Sequence, residues 1–205
     1  MKFPFPKRNL YLNIPNYISF LRVALIPIII IMMAFQQPVD SPKFHPVLAY
    51  CSAFLFVLAG ISDLFDGWAA RKMQIVGTFG KFLDPVADKL IHMAVMIMLI
   101  PLQELPAWLV ILFLVRELSI TALRSIAAGE GMILAADVWG KKKTALLNIA
   151  LTCFLLPAKF VYLNTRTVGW VVLIMALVVS LGSGYNYVLQ FMKHVQSKEG
   201  KSSQF

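Results

Sequence analysis

Six long apolar segments divide the chain and limit what it can fold into. Each approaches or exceeds the roughly 20 residues that a helix needs to cross the hydrocarbon core of a bilayer. Hydrophobic residues make up 59% of the 205 residues and charged residues only 14%, far from the composition of soluble domains. We therefore predict an all-α integral membrane protein. Its six transmembrane helices are predicted at residues 17–35, 46–71, 85–101, 106–128, 143–163 and 167–192.

The segments are close together, so one compact membrane domain is expected. We assign it residues 1–195, followed by a short polar tail at 196–205 that is expected to be disordered. The formal net charge is +9, but the basic residues lie in short runs between apolar segments. This pattern favours anionic lipid headgroups as partners rather than nucleic acid.

The distribution of basic residues predicts the orientation of the bundle. Lysine and arginine concentrate in cytoplasmic loops of membrane proteins. Here they cluster before the first helix, after the second, around the end of the fourth and after the sixth. The opposite loops carry only Lys43, Lys159 and Arg166. Both termini are therefore expected in the cytoplasm, in a multi-pass arrangement.

Four aspartates lie where the second segment ends and the third begins. Asp63 and Asp66 are three residues apart, and Asp84 and Asp88 are four apart, so each pair shares one helix face. Each charge at bilayer depth costs roughly 2.5 to 3.5 kcal/mol on insertion scales, so the group needs compensation. Packed antiparallel, the two helices would bring the carboxylates together in an oxygen-rich pocket. Such a pocket suits Mg²⁺ or Mn²⁺.

Simpler interpretations of these residues remain open at this point. Asp84 precedes a proline and resembles an N-cap, and Asp88 is able to pair with Lys89. Asp63 is also compatible with a proton or cation pathway, as in a small transporter, and a noncatalytic scaffold is a further alternative. The three histidines have no companion ligands at metal-binding spacing and are assigned no chemistry; they are His45, His92 and His194.

The aspartates belong to a longer pattern that resembles the signature of the CDP-alcohol phosphatidyltransferase family. An eight-residue spacer separates its two halves. The matching positions are Asp63, Asp66, Gly67, Ala70 and Arg71, and then Gly80, Asp84 and Asp88. The resemblance extends to the six-helix frame and so covers essentially the whole chain.

This resemblance implies an enzyme that transfers a phosphatidyl group from CDP-diacylglycerol and releases CMP. It implies two divalent cations, one bound by Asp63, Asp66 and Asp84 and the other by Asp63, Asp84 and Asp88. It also implies that Asp88 is the general base. Contacts to the donor nucleotide are implied for Asn16, Gly67, Arg71 and, where relatives carry a threonine, Gly77 or Thr78.

The choice of acceptor rests on further stretches of sequence. NIPNYISFLRVALIPI, LDPVADK, VRELSITALRSIAA and WGKKKT resemble bacterial members of the family that use sn-glycerol 3-phosphate. Inositol phosphate, serine and phosphatidylglycerol remain alternative acceptors. A phosphorylated acceptor requires cations, and the candidates are Arg116, Arg124, Lys141 and Lys143.

Structural roles compete with these assignments. Arg116 is also able to pair with a buried carboxylate, either Glu117 or one of the signature aspartates. The lysines at 141–143 are also explained by the excess of basic residues in cytoplasmic loops or by attraction to anionic lipid. Relatives of this fold further imply a homodimer in the bacterial inner membrane.

Overall fold

The computed structural model describes residues 14–38, 41–73, 89–129, 138–157, 159–160 and 163–202. These residues form six helices and one short antiparallel strand pair, so the predicted helical class is confirmed. The helices are α1 (Ile14–Ala34), α2 (Pro46–Met73), α3 (Lys89–Met98), α4 (Ala107–Gly129), α5 (Val138–Leu155) and α6 (Thr165–Ser202). The strands are β1 (Lys159–Phe160) and β2 (Leu163–Asn164).

Apolar helices with exposed apolar side chains dominate the described part of the chain. The segment Thr165–Met192 is long and apolar enough to cross a membrane, with a mean hydropathy of 2.0. Shorter apolar segments lie in α1, α2 and α3. Phe54, Trp108 and Val178 are each about two-thirds exposed, and many other large apolar side chains are exposed with them. Exposed apolar surface on this scale is typical of a face that contacts lipid or another protein.

The helices pack around one apolar core. α1 packs on α2, α5 packs extensively on α6, α2 also contacts α5, and α4 contacts α6. Ile91 and Val95 of α3 are buried in the same cluster as Phe56 of α2 and Leu151 of α5. α3 therefore lies inside the bundle, and the residues at its start are held close to α4 and α5.

The connection from α5 to α6 differs from the sequence prediction. The predicted fifth helix at 143–163 is wrong at both ends, because α5 spans Val138–Leu155 and the strand pair follows. Thr165 donates its hydroxyl to the Pro157 carbonyl at 2.8 Å, and the Asn164 side chain accepts from the Thr167 amide at 3.3 Å. Asn164 thus caps the start of α6, which an apolar pattern alone does not indicate.

The C-terminal end of α6 also extends beyond its predicted limit. The helix continues to Ser202, ten residues past the predicted end at 192, so the expectation of a disordered tail from residue 196 is wrong over most of its length. Gln196, Lys198, Glu199 and Lys201 explain the extension, since these residue types have good helix propensity even without apolar contacts.

An ion pair joins the connection between α3 and α4 to the start of α6. Glu104 follows α3, in a turn where Gln103 adopts a positive φ of 59° and the Leu99 carbonyl accepts the amides of Glu104 and Leu105. Arg166, in the first turn of α6, donates to both oxygens of the Glu104 carboxylate. This ion pair ties the α3–α4 turn to the start of α6.

Candidate functional site

The first half of the aspartate signature lies on the last part of α2. This helix is continuous from Pro46 to Met73, so Asp63 and Asp66 are about one turn apart on an unbroken backbone. Gly67 and Arg71 follow on the same helix. The helical backbone agrees with the predicted spacing of these residues, and their side chains lie outside the described part of the structure.

The other residues predicted for the donor and for the metal ions lie where the structure describes no side chains. Asp84, Asp88, Gly77 and Thr78 lie outside the described residues, and Asn16 is described only as part of the α1 backbone. Among the described side chains there is no group of three or more His, Cys, Asp or Glu that suits a metal ion. The assignment of two cations to the four aspartates therefore stays a prediction.

Helix α1 is fixed to α2 just before the signature. Arg22 is only 2% exposed, and its Nε donates to the carbonyl of Ala59 at 3.2 Å. Ala59 precedes Asp63 by four residues, which is about one helical turn. A buried guanidinium is costly in an apolar bundle, so its bond to the Ala59 carbonyl marks a polar contact within the interior, one turn before Asp63.

A small cavity of about 30 Å³ lies between α3, α4 and α5, next to the second half of the signature in sequence. Its polar wall contains Lys89 and His92 from α3, Glu117 from α4, and Lys143 and Thr144 from α5. The remaining lining side chains are apolar: Met93, Met96, Phe113, Leu114 and Leu147. Lys89 directly follows Asp88, so this cavity adjoins the predicted base along the chain.

Glu117 is the centre of an ion network at this cavity. Its Oε2 accepts from Lys143 Nζ, and also from Arg116 Nη1 at 3.0 Å. Lys143 is a lysine buried to 8% exposure, and the Arg116 side chain is 10% exposed. Burial at this level keeps the charges from being fully screened by water, so the pairs hold the side chains firmly in place.

Arg116 also connects α4 to α6. Its Nε donates to the Ser180 carbonyl at 2.9 Å, and Gly184 leaves the space beside that guanidinium. The guanidinium therefore lies between the two helices and reaches Glu117 with one of its other nitrogens. The pairing of Arg116 with Glu117, raised from the sequence as an alternative to acceptor binding, is present in the structure.

Lys89 completes the group of cations. Its Nζ donates to the Thr121 hydroxyl at 2.5 Å, and that hydroxyl donates in turn to the Glu117 carbonyl at 2.7 Å. Among the described side chains, Lys89, Arg116 and Lys143 thus lie around Glu117, three cations to one carboxylate. Such an arrangement favours a small anionic ligand.

The other two predicted acceptor residues lie elsewhere on the surface of the bundle. Arg124 is exposed, with its guanidinium 5.6 Å from the ring centre of Tyr187 on α6. Lys141 is exposed in the first turn of α5, and its neighbour Lys142 lies 4.7 Å from the ring centre of Trp139. The structure therefore brings Arg116 and Lys143 together and places Arg124 and Lys141 outside the cavity wall.

Sequence reasoning missed two members of this site. The sequence indicates Lys89 only as a partner for Asp88, and it indicates no chemistry for His92. His92 lies in the cavity wall with its Nε2 2.6 Å from Oδ1 of Asn148 on α5, and it packs edge-on against Phe56. The signal for His92 was its position one helical turn after Asp88 on the same face. No sequence signal identified Asn148.

Comparison with known proteins places the chain in a family. The sequence profile described as CDP-alcohol phosphatidyltransferase matches residues 12–182, which include all four signature aspartates. The chain belongs to the CDP-alcohol phosphatidyltransferase family, and the predicted resemblance is confirmed.

Its relatives carry more specific names. A Bacillus subtilis protein named CDP-diacylglycerol–glycerol-3-phosphate 3-phosphatidyltransferase is 43% identical over 150 residues, covering 70% of this chain and 77% of the relative. A Rickettsia bellii protein of the same name is 36% identical over 178 residues, or 85% of this chain and 93% of the relative. A probable phosphatidylglycerophosphate synthase of Mycobacterium tuberculosis is 31% identical over 184 residues, covering 89% of this chain and 83% of the relative.

Proposed function

We propose that this chain transfers the phosphatidyl group of CDP-diacylglycerol to sn-glycerol 3-phosphate, giving phosphatidylglycerophosphate and CMP. The observation that carries the proposal is similarity along nearly the full length of relatives named for this reaction, 93% of the Rickettsia bellii protein among them. The cationic cavity between α3, α4 and α5 supports the choice of a phosphorylated acceptor. Serine and inositol phosphate, and phosphatidylglycerol as in cardiolipin synthesis, are the competing acceptors.

The donor set at the signature fits two divalent cations. Asp63 and Asp66 stand one turn apart on the continuous α2 helix, and carboxylate oxygens are the ligands that Mg²⁺ and Mn²⁺ prefer. We assign one cation to Asp63, Asp66 and Asp84 and the other to Asp63, Asp84 and Asp88. When bound, the cations supply charge neutralisation for the diphosphate and for the attacking and leaving oxygens.

In the proposed reaction Asp88 is the general base. Its carboxylate takes the proton from the acceptor hydroxyl, and the freed oxygen forms a bond to the phosphorus on the lipid side of the diphosphate. The bond from that phosphorus to the bridging oxygen breaks, and CMP leaves with the electron pair. Proton transfer by a positioned carboxylate contributes about 10² to 10⁴ in rate.

We assign the donor nucleotide to the end of α2. Gly67 leaves space for close approach, and Arg71 supplies a guanidinium for phosphate one turn further on. Asn16 of α1 and Gly77 or Thr78 complete the proposed contacts to CDP-diacylglycerol. The bond between Arg22 and the Ala59 carbonyl supports this assignment, because it fixes α1 and α2 relative to each other one turn before Asp63.

The acceptor phosphate is assigned to the cavity lined by Lys89 and Lys143. A phosphate monoester carries about −1.5 to −2 charges at neutral pH, which matches the excess of positive charge around Glu117. Serine carries no phosphate, and the phosphodiester of phosphatidylglycerol carries one charge, so neither matches as well. Arg116 supports the same site through its bond to Glu117, without lining the cavity. Arg124 and Lys141 are proposed to attract the anion from the surface.

We further propose that the six helices cross the bacterial inner membrane with both termini in the cytoplasm, as a homodimer. The exposed apolar side chains of the described helices support lipid contact. The distribution of lysine and arginine supports the orientation. The aspartates and the cavity would then open to the cytoplasm, where a water-soluble acceptor meets a lipid donor.

The decisive experiment measures CMP release by the purified protein in mixed micelles of CDP-diacylglycerol. Glycerol 3-phosphate, serine, inositol phosphate and phosphatidylglycerol are each offered as acceptor, with Mg²⁺, with Mn²⁺ and with a chelator. We expect release with glycerol 3-phosphate and a divalent cation, and the lipid product identified by mass. Release with another acceptor but none with glycerol 3-phosphate would refute the proposed acceptor and retain the family chemistry.

A further inference from the structure

We infer that Glu117 is a positioning residue for the acceptor site, which holds Lys143 and Arg116 in the geometry that receives the acceptor phosphate. The inference rests on the function proposed above. It adds a role for an acidic residue outside the aspartate signature, whose own negative charge does not favour direct contact with a phosphate. The cations it contacts come from two different helices, α4 and α5.

The need for such a residue follows from electrostatics. Lys89, Arg116 and Lys143 converge within a mostly apolar bundle, where like charges repel strongly because the dielectric is low. One carboxylate among them lowers that repulsion and gives the cations a common partner. Without it, flexible lysine side chains would move apart toward water and the site would lose its order before any substrate arrives.

The hydrogen-bond geometry supports positioning rather than simple neutralisation. Arg116 is held at two points, by the Glu117 carboxylate at 3.0 Å and by the Ser180 carbonyl at 2.9 Å. Lys143 and Glu117 both line the cavity, so their ion pair holds the lysine ammonium at the cavity wall. The same carboxylate therefore fixes two cations from two helices.

The test compares Glu117→Gln with Glu104→Gln in the CMP-release assay. Glycerol 3-phosphate is varied at saturating CDP-diacylglycerol, and CDP-diacylglycerol is then varied at saturating glycerol 3-phosphate. Glu104 is the matched control: a buried carboxylate also paired with an arginine, but at the α3–α4 turn away from the cavity. We expect Glu117→Gln to raise the KM for glycerol 3-phosphate about tenfold, as for the loss of one charge-assisted hydrogen bond. The KM for CDP-diacylglycerol should not change, and Glu104→Gln should leave both KM values unchanged.

Two further variants separate positioning from a purely structural role. Glu117→Asp keeps the charge and should recover part of the acceptor affinity. In a Lys143→Met background, Glu117→Gln should have a much smaller effect on the acceptor KM, because the ammonium that Glu117 positions is already absent. If Glu117→Gln does not fold, the same measurements are made on Glu117→Asp, whose acceptor KM should then lie above that of the wild type.

The outcomes distinguish the inference from the proposed function. An acceptor KM that is unchanged in a folded Glu117 variant, with the melting temperature lowered, overturns the inference and leaves the proposed function standing. A wild-type protein that releases no CMP with glycerol 3-phosphate overturns the proposed function and the inference together. An equal rise in both KM values also overturns the inference, since it would mean a general disturbance of the active site.

Discussion

Arg166 donates to the Glu104 carboxylate through two nitrogens, from Nη2 to Oε1 at 2.5 Å and from Nε to Oε2 at 2.9 Å. The Glu104 side chain is 5% exposed and the Arg166 side chain 29% exposed, so the pair is largely removed from water. It links two connections that are 62 residues apart in sequence. The pair therefore stabilises the closed bundle at the end occupied by the α3–α4 and α5–α6 connections.

Glu104→Gln should destabilise the protein by about 2 kcal/mol, less than for a fully buried pair because Arg166 is partly exposed. Thermal unfolding in detergent measures the loss. Arg166→Lys keeps the charge but not the two-point geometry, and it should lose less stability than Arg166→Gln. An unfolding temperature for Glu104→Gln equal to that of the wild type would contradict a stabilising role for this pair.

Lys143 and Lys142 are neighbours in sequence with different environments. Lys143 is buried at Glu117, whereas Lys142 is exposed and lies over the Trp139 ring. Lys143→Met should raise the KM for glycerol 3-phosphate at least about tenfold, because a cation next to a phosphate is lost. Lys142→Met is the control and should change this KM less than about twofold. Equal effects of the two substitutions would argue that only the net charge of this region matters.

Substitution within the aspartate signature is expected to cause the largest loss of activity. Asp88→Asn should lower kcat by about 10² to 10⁴, because an amide cannot accept the proton. Chelation of divalent cations should abolish CMP release by the wild type, and added Mg²⁺ or Mn²⁺ should restore it. Asp40→Asn changes an aspartate outside the signature and should retain activity. Wild-type activity that survives complete chelation would contradict the proposed metal site.

Several parts of the fold follow directly from the sequence. The starts of α2 and α4 lie within one residue of the predicted positions 46 and 106, because prolines mark both boundaries and hydropathy changes there. The position of Asp63 and Asp66 about one turn apart on the second helix also agrees with the prediction. These features depend only on neighbours along the chain, which is the information that a single sequence carries.

The contacts within the cavity do not follow in the same way. The contact between Glu117 and Lys143 depends on how α4 and α5 are rotated about their axes. The sequence of a helix that is apolar on most sides gives little indication of that rotation. The predicted start of the fifth helix at residue 143 also placed Lys143 at a helix end. In the structure α5 begins at Val138, so Lys143 lies in its second turn and turns inward.

Three glycines in α6 differ in the space beside them and predict a graded series. A Cβ at Gly169 would lie 3.2 to 3.3 Å from Cys153 and Phe154 of α5, at Gly184 it would lie 3.5 Å from Arg116 Nε, and at Gly182 it would meet nothing within 4 Å. Gly169→Ala should therefore destabilise the protein by about 1 to 2 kcal/mol, since α5 and α6 must move apart.

Gly182→Ala should be neutral or stabilising by up to about 1 kcal/mol, because alanine favours the helix and contacts nothing. Gly184→Ala should be nearly neutral. Gly184→Leu should push Arg116 away from the Ser180 carbonyl. This substitution should therefore both raise the KM for glycerol 3-phosphate and lower the unfolding temperature. Thermal unfolding and CMP release on all four variants test the series. A Gly169→Ala protein as stable as Gly182→Ala would show that α5 and α6 are not closely packed at Gly169.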